Sequence, residues 1–227
     1  KGGGKGGGGG GKGGAAAGLG AVRRHVFKVL CTDPLAANVI GTKGTTRAQI
    51  EEETGCSVWV SKRDEVYPSP PFRMLVLHGD EPEQVHSAIE RIVANLMEVA
   101  AREPTPDSPL LGKEPGEYVF HMALPTLITG KLIGTKGANI QQLREKTGTR
   151  IYVENEVFDG HKSGRIVATP DCIRHALRLI GELVQEEAGS EEFGAWASTQ
   201  PFRGSAAKGS GRRSPRPRER GRRSRSR

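Results

Sequence analysis

The sequence of 227 residues has little of what several protein classes require. Its three Cys, at positions 31, 56 and 172, are odd in number and show no CxxC spacing, so neither a disulfide framework nor a zinc site is expected. No run approaches the roughly 18 apolar residues that a membrane span needs. The N-terminal residues also lack the order of a secretory signal. These absences predict a protein of a reducing compartment with no membrane partner.

Catalytic signatures are missing from the sequence as well. The six His form no HxxxH or Cys/His set, and there is no GxSxG, Walker loop or paired-carboxylate motif. We therefore predict that the protein is not an enzyme and that it has no catalytic residue, no metal site and no cofactor. Aromatic residues make up only 5% of the chain, which is few for a protein that stacks bases on an exposed sheet.

Glycine and positive charge are concentrated at the two ends of the chain. Residues 1–20 form a Gly/Lys-rich leader and residues 189–227 an Arg/Ser/Gly-rich tail, and we predict that both are disordered. Residues 203–227 carry eleven Lys/Arg against Glu219 alone. Residues 1–24 carry five Lys/Arg and no acidic residue. Since the formal net charge of the whole chain is +8, the remainder, residues 25–202, is mildly acidic.

Between the ends, apolar periodicity predicts two domains, at 21–101 and 117–188. The segment 102–116 contains four Pro and is predicted to be a linker, with an r.m.s. span of about 20 Å if it is flexible. The two domains are copies of each other, because Asn38–Lys62 and Lys131–Asn155 share ten of 25 residues at an offset of 93. An internal duplication predicts one fold that occurs twice.

Each copy predicts the order strand, helix, helix, strand, strand, helix. The last helix of each copy has apolar residues at i, i+3/i+4 and i+7, which indicates one buried stripe. The predicted segments are 26–31, 34–40, 45–54, 58–60, 72–77 and 85–97 in the first copy, and 118–124, 127–133, 138–147, 151–153, 164–167 and 173–184 in the second.

The run Ile-Gly-Thr-Lys-Gly, at 40–44 and again at 133–137, is where we expect the chemistry to lie. Glycines at both ends of the turn let the backbone approach a ligand. The amides at the start of the following helix attract phosphate, and Lys43 or Lys136 adds a formal charge beside them. The flanking aliphatic residues can form an apolar floor for unstacked bases. A backbone clamp beside an apolar groove is suited to single-stranded nucleic acid.

Both copies resemble type I KH domains, the family that includes the poly(C)-binding proteins and the heterogeneous nuclear ribonucleoprotein K class. The family signature, roughly (Val/Ile)-Ile-Gly-x-x-Gly-x-x-Ile, is met by Leu132–Ile140, and Leu143 and Thr147-Gly148 also match. The resemblance implies an α+β fold with two βααββα domains, each a three-stranded antiparallel sheet packed on three helices. It further implies sequence-selective binding of single-stranded RNA, at about four bases per copy.

The resemblance also implies which residues line each RNA groove. In the second copy they are Leu132, Ile133, Gly134, Thr135, Lys136, Gly137, Ile140, Arg150 and Ile151. In the first copy they are Val39, Ile40, Gly41, Thr42, Lys43, Gly44 and Val58. Two such sites on one linker predict a preference for RNA with two short motifs a few nucleotides apart.

The first copy departs from the signature at Arg47, where the family has Ile. An Arg at this position either snorkels outward, where it could pair with phosphate, or carries a large penalty if buried unpaired. The first copy is also acidic, with seven Lys/Arg against eleven Asp/Glu over 25–101, whereas the second balances nine against nine over 117–187. We expect the second copy to be the better binder and leave open whether the first binds.

The C-terminal tail resembles the Arg/Ser-rich segments of splicing and mRNA-processing factors. Non-specific phosphate contacts are predicted for Arg212, Arg213, Arg222 and Arg223, and phosphorylation for Ser214, Ser224 and Ser226. The resemblance implies a nuclear protein of pre-mRNA or mRNA processing, with shuttling to the cytoplasm left open, and splicing or processing proteins as partners of the tail. Two alternatives remain: a protein-interaction adaptor with degenerate KH copies, and binding of single-stranded DNA.

Overall fold

A computed structural model describes residues 25–68, 71–102, 105 and 107–198. The Gly/Lys-rich leader at 1–20 lies outside the described residues. So do the tail arginines Arg212, Arg213, Arg222 and Arg223 and the candidate phosphorylation sites Ser214, Ser224 and Ser226. What the sequence predicts for these segments therefore stays a prediction.

The two copies fold in the predicted order, which confirms the α+β class. The first consists of β1 (His25–Cys31), α1 (Asp33–Ile40), α2 (Thr45–Thr54), β2 (Ser57–Val60), β3 (Val66–Pro68), β4 (Pro71–Gly79) and α3 (Pro82–Arg102). The second consists of β5 (Tyr118–Pro125), α4 (Thr126–Ile133), α5 (Ala138–Thr147), β6 (Arg150–Phe158), β7 (His161–Ala168) and α6 (Pro170–Gln185), followed by α7 (Glu191–Ala197). The short strand β3, which pairs with β4, is an addition to the predicted order.

The long helices α3 and α6 bury the stripes that their periodicity predicts. In α3 the buried residues are Val85, Ala88, Ile89, Ile92, Val93, Leu96, Val99 and Ala100, and in α6 they are Ile173, Ala176, Leu177, Ile180, Gly181 and Val184. Apolar residues of the strands lie beneath them, with Phe27 opposite Leu77 and Val29 opposite Leu75 in the first copy. This layer of helices on a sheet forms the core.

The sheets of the two copies are joined into one seven-stranded sheet. The strand order is β2-β4-β1-β5-β7-β6. The joining strands β1 and β5 run antiparallel, with Val29 opposite Met122 and Leu30 opposite His121. The first strands of the two copies are therefore neighbours at the centre, and β2 and β6 lie at the two outer edges.

Helices α3 and α6 meet on one face of the sheet and close the junction between the copies. Glu83 of α3 lies 3.1 Å from Arg178 of α6. A Cβ on Gly181 would lie 3.4 Å from Nε2 of His86, an ordinary contact distance, so these residues of α6 and α3 are neighbours across the junction. In this structure the two copies form one packed body.

The opposite face of the sheet is partly covered by the end of the segment predicted as linker. Leu110 is buried, and the main-chain N–H of Val119 donates to its carbonyl oxygen at 2.9 Å. Nε2 of His121 lies 3.4 Å from the carbonyl oxygen of Pro109. This part of the segment predicted as linker is therefore held against β5.

Helix α7 corrects the prediction that the disordered tail begins at residue 189. Ser190 caps the helix by accepting from the main-chain N–H of Phe193 at 3.1 Å. Phe193 and Trp196 are each only 4% exposed. The sequence pattern did not reveal this helix because seven residues are too few for a 3.6-residue period to repeat.

Lys28 of β1 lies beneath α7 and connects it to both copies. Its Nζ lies 3.0 Å from Nε2 of His161 and donates to the carbonyl oxygen of Ser198 at 3.0 Å. The ring of Trp196 lies 5.4 Å from the same Nζ. Burial lowers the pKa of Lys28 from 10.5 to about 7. Because Lys28 belongs to the first copy and His161 to the second, α7 covers the junction between them.

We expect Trp196→Ala to lower the free energy of unfolding by about 3 kcal/mol, because it removes a large buried side chain. Urea unfolding followed by circular dichroism measures this change. The control is Glu192→Ala, at an exposed position of the same helix, which should change the free energy by about 0.5 kcal/mol or less. A Trp196→Ala effect as small as that of the control would show that α7 is not docked.

Candidate nucleic-acid interface

Each copy holds its Gly-Thr-Lys-Gly loop in the same backbone conformation between its first two helices. The φ angles are 70° and 72° at Gly41 and Gly134, and 53° and 52° at Lys43 and Lys136. A positive φ is uncommon for a residue other than glycine, yet both lysines adopt it. The two loops therefore agree in backbone conformation as well as in sequence.

The first glycine of each loop is required by its φ and by its surroundings. A Cβ on Gly41 would lie 2.7 Å from the main-chain nitrogen of Thr46. A Cβ on Gly134 would lie 2.8 Å from Cβ of Asn139. No side chain fits at either distance, so the following helix begins directly against the backbone of the loop.

The first turns of α2 and α5 have no side-chain cap. Gly44 and Gly137 precede these helices, and neither helix has a side-chain hydrogen bond at its N-cap. The N–H groups of Thr45 and Ala138, the first residues of these helices, donate to the carbonyl oxygens of Thr42 and Thr135. The next main-chain N–H groups of a first helical turn have no intrahelical acceptor and carry partial positive charge. Because Lys43 and Lys136 are exposed beside them, each loop offers a site suited to a phosphate group.

The predicted loop residues lie at the surface of the molecule. The threonines and lysines of the loops are exposed, and the four loop glycines are half-buried: Thr42, Lys43, Thr135 and Lys136, and Gly41, Gly44, Gly134 and Gly137. Ile40 and Ile133, which precede the loops, are half-buried as well. The structure therefore brings a backbone turn, a cation and one accessible aliphatic side chain together in each copy.

The other apolar residues predicted to line the grooves lie in the core. Their exposed fractions range from 0% to 7%, at Val39, Val58, Leu132, Ile140 and Ile151. In β2 and β6, strand alternation directs Val58 and Ile151 toward the face that the helices cover. These side chains pack in the core, and the structure does not bring them to the surface.

Arg47 snorkels outward, which is the first of the two outcomes considered for it. Its side chain is 47% exposed, and its Nε lies 3.9 Å from Oε2 of Glu51. In α2 the buried residue is Ile50, whereas α5 buries Ile140, the counterpart of Arg47. The substitution therefore leaves no buried charge, and the first copy keeps its fold.

Arg150 lies away from the loop of the second copy. It pairs with Val167 in the sheet, and alternation puts it on the face opposite to that of Ile151. Its Nη2 donates to Oε2 of Glu117 at 2.6 Å. This hydrogen bond lowers the pKa of the Glu117 carboxyl. In this structure Arg150 ties the start of β6 to the residue before β5.

In each copy, one residue that the sequence analysis did not single out links the helix after the loop to the edge strand. It is Glu51 in the first copy and Arg144 in the second. Oε1 of Glu51 accepts from the main-chain N–H of Val58 at 2.8 Å. At the equivalent position, Arg144 donates from Nε to the carbonyl oxygen of Ile151 at 3.1 Å. These contacts are on the outer side of β2 and β6, where main-chain groups have no strand partner. The alignment at an offset of 93 contains this signal, since it sets Glu51 against Arg144.

The sequence profile of the KH domain matches residues 26–94 and 119–182, which together are more than half of the chain. The chain belongs to the KH domain family. The first match begins in β1 and ends in α3, and the second begins in β5 and ends in α6. Each match therefore contains one loop, one edge strand and the helices between them.

The chain is similar to several larger proteins over about 70% of its length. Far upstream element-binding protein 1 of Homo sapiens is 28% identical over 166 residues, which are 70% of this chain and 24% of that protein. RNA-binding protein Nova-2 of Homo sapiens is 24% identical over 174 residues, 73% of this chain and 35% of that protein. RNA-binding protein Pasilla of Drosophila melanogaster is 23% identical over 171 residues, 72% and 21% respectively. The chain spans about a third or less of the length of these relatives.

Among solved structures, Dim2p from Pyrococcus horikoshii is similar to the chain at 19% identity. It covers 70% of this chain and 89% of its own, with a TM-score of 0.26. The complex of a/eIF2alpha, aDim2p and rRNA from the same organism gives 19% identity, 75% and 89% coverage, and a TM-score of 0.27. Scores this low support no conclusion about this chain.

The two KH domains differ in the charge of the helix that follows the loop. In the first, α2 carries three consecutive glutamates at 51–53 against Arg47. In the second, α5 carries Arg144 and Lys146 against Glu145. The surface beside the first loop therefore repels a polyanion, and the surface beside the second attracts one.

Candidate metal sites and membrane-spanning helices are both absent from the part of the chain that the structure describes. No group of three or more His, Cys, Asp or Glu residues there could hold a metal ion. No helix among the same residues is long and apolar enough to cross a membrane.

Proposed function

We propose that the protein binds single-stranded RNA with sequence selectivity, through its two Gly-Thr-Lys-Gly loops and the grooves beside them. The observation that carries the proposal is the repetition of one loop geometry, with an exposed lysine in front of an uncapped helix, in both KH domains. A turn that only connected two helices would need neither the lysine nor the uncapped amides. A phosphate held at the loop leaves its base free to lie in the groove beside the edge strand.

The relatives support RNA as the target, because two of them are named RNA-binding proteins. We extend the proposal to pre-mRNA or mRNA processing or regulation in the nucleus. The Arg/Ser-rich tail adds attraction for phosphates that does not depend on sequence, and it is the proposed contact for splicing or processing proteins. The protein acts by binding, with no chemical step and no cofactor.

The second KH domain is the principal site in this proposal. Its loop offers Thr135 and Lys136 to a phosphate, and Ile133 to a base. Arg144 places its guanidinium at the edge of β6, where Nε and Nη2 donate to the carbonyl oxygen of Ile151, on a helix whose charge attracts RNA. The first KH domain offers the same loop beside an acidic helix, so its contribution is weaker.

The loops are tested by selection of the full chain on a randomised single-stranded RNA pool, with excess non-specific competitor. Thr135→Asp combined with Lys136→Asp places two carboxylates where a phosphate would bind. This variant should lose the most enriched motif, with affinity for it reduced at least about tenfold. Thr42→Asp combined with Lys43→Asp makes the same change in the first loop and should retain that motif.

The tail is the same in both variants, so its sequence-independent and salt-sensitive binding contributes equally to both measurements. A wild-type chain that enriches no motif would contradict the proposal and favour the protein-interaction adaptor. Enrichment from a single-stranded DNA pool, without enrichment from RNA, would make DNA the target.

The edge residues predict opposite base preferences for the two domains. The Arg144 guanidinium suits acceptors such as guanine O6 and N7, whereas the Glu51 carboxylate suits amino groups such as cytosine N4 or adenine N6. In the chain that carries Thr42→Asp and Lys43→Asp, Arg144→Glu should change the base enriched at one motif position. The expected change is from a base that offers acceptors, such as guanine, to one that offers an amino group, such as cytosine or adenine. The change corresponds to about 1–3 kcal/mol of discrimination.

The matched control is Lys146→Glu, which makes the same change of charge at an exposed position of α5. It should weaken binding to every sequence and leave the selected base unchanged. If Arg144→Glu behaves like this control, the guanidinium does not read a base.

A further inference from the structure

The two grooves lie at opposite edges of one sheet. β2 and β6 are the ends of the order β2-β4-β1-β5-β7-β6, so five strand spacings separate them. At about 4.8 Å per spacing, the two edges are about 24 Å apart. Helices α3 and α6 contact each other on one face of the sheet, and the loops of both domains belong to that layer of helices.

The pairing of β1 with β5 also fixes the relative direction of the two grooves. These strands run antiparallel, and each is the first strand of its KH domain. The second domain is therefore turned by about 180° from the first, about an axis normal to the sheet. Because the two loops have the same backbone conformation, RNA follows the same path relative to each domain. The two bound segments consequently run in opposite directions.

Contacts across the junction oppose any reorientation that would align the grooves. Nε2 of Gln185 donates to the carbonyl oxygen of Val26 at 2.8 Å, in addition to the ion pair between α3 and α6. On the other face, α7 contacts Lys28 of the first domain and packs on β5 of the second. The distance and the direction are therefore properties of a single packed body.

We infer that the preferred substrate is one RNA strand with two short motifs separated by a long unpaired spacer, which turns back so that the motifs lie antiparallel. This inference rests on the proposed function. A stacked strand advances about 3.4 Å per nucleotide, so about seven nucleotides are needed to cover 24 Å, and the path around the sheet requires more. The spacing of a few nucleotides expected from the linker is too short to join the two grooves. With such a spacer, the effective concentration of the second motif at the second groove is close to zero.

The test uses the full chain and two motifs, each selected by the variant in which the other loop carries the paired aspartates. The motifs are joined in both orders by unpaired spacers of about two or about 15 nucleotides, and control RNAs of equal length have one motif scrambled. Fluorescence anisotropy at constant salt, with competitor, gives the affinities. The long-spacer RNA should bind at least about tenfold more tightly than the control of the same length with one motif scrambled. The short-spacer RNA should bind no more tightly than its control of the same length.

A short-spacer RNA that gains as much as the long one would overturn the inference. The inference would also be overturned if the single-motif control binds and the long-spacer RNA binds no more tightly than that control. If the single-motif RNAs bind no better than fully scrambled RNA, the proposed function itself fails, and this result is distinct from the other two.

Discussion

The main-chain pairing of β1 with β5 is the contact on which the arrangement of the molecule depends. Without it, each KH domain would expose the unpaired edge of its first strand. With it, the two sheets become one, α3 packs against α6, and the opposite face becomes a surface that α7 and the end of the linker cover. The same pairing places β2 and β6 at opposite edges of the sheet. Lys28 is only 1% exposed where α7 crosses this junction, and this burial lowers its pKa.

Much of the fold of each KH domain is determined by local signals. The helices Thr45–Thr54 and Ala138–Thr147 have their predicted bounds, because a glycine precedes each of them and another follows, and each of these glycines has a positive φ. The loops were predicted from one repeated run of residues, and the structure gives that run one backbone conformation. The outward position of Arg47 was one of two predicted outcomes, since a long side chain can carry its charge to water.

Features that depend on contacts between distant residues could not be predicted in the same way. The pairing of Val29 with Met122 joins residues of different copies, and no periodicity within either copy specifies it. Helix α7 is stabilised mainly by what Trp196 packs against, although Ser190 followed by two glutamates is a capping signal that could have located its start. The exposure of the predicted groove residues could not be read from the sequence, because a shared signature does not distinguish Ile133, which is half-buried, from Ile151, which is fully buried. Arg144 was not predicted as a site residue, because its contact is with a main-chain carbonyl of a strand and no residue pattern indicates such a contact.

The most direct test of this account is a distance measurement between the two KH domains by pulsed electron paramagnetic resonance. Spin labels at Glu52→Cys and Glu145→Cys occupy equivalent exposed positions of α2 and α5, in a chain whose three native Cys are replaced by Ala. The account predicts one narrow distance distribution, unchanged when Gly/Ser residues are inserted between Thr105 and Pro106 to lengthen the linker. A broad distribution, or one that broadens with the longer linker, would show that the domains move independently and would contradict the joined sheet.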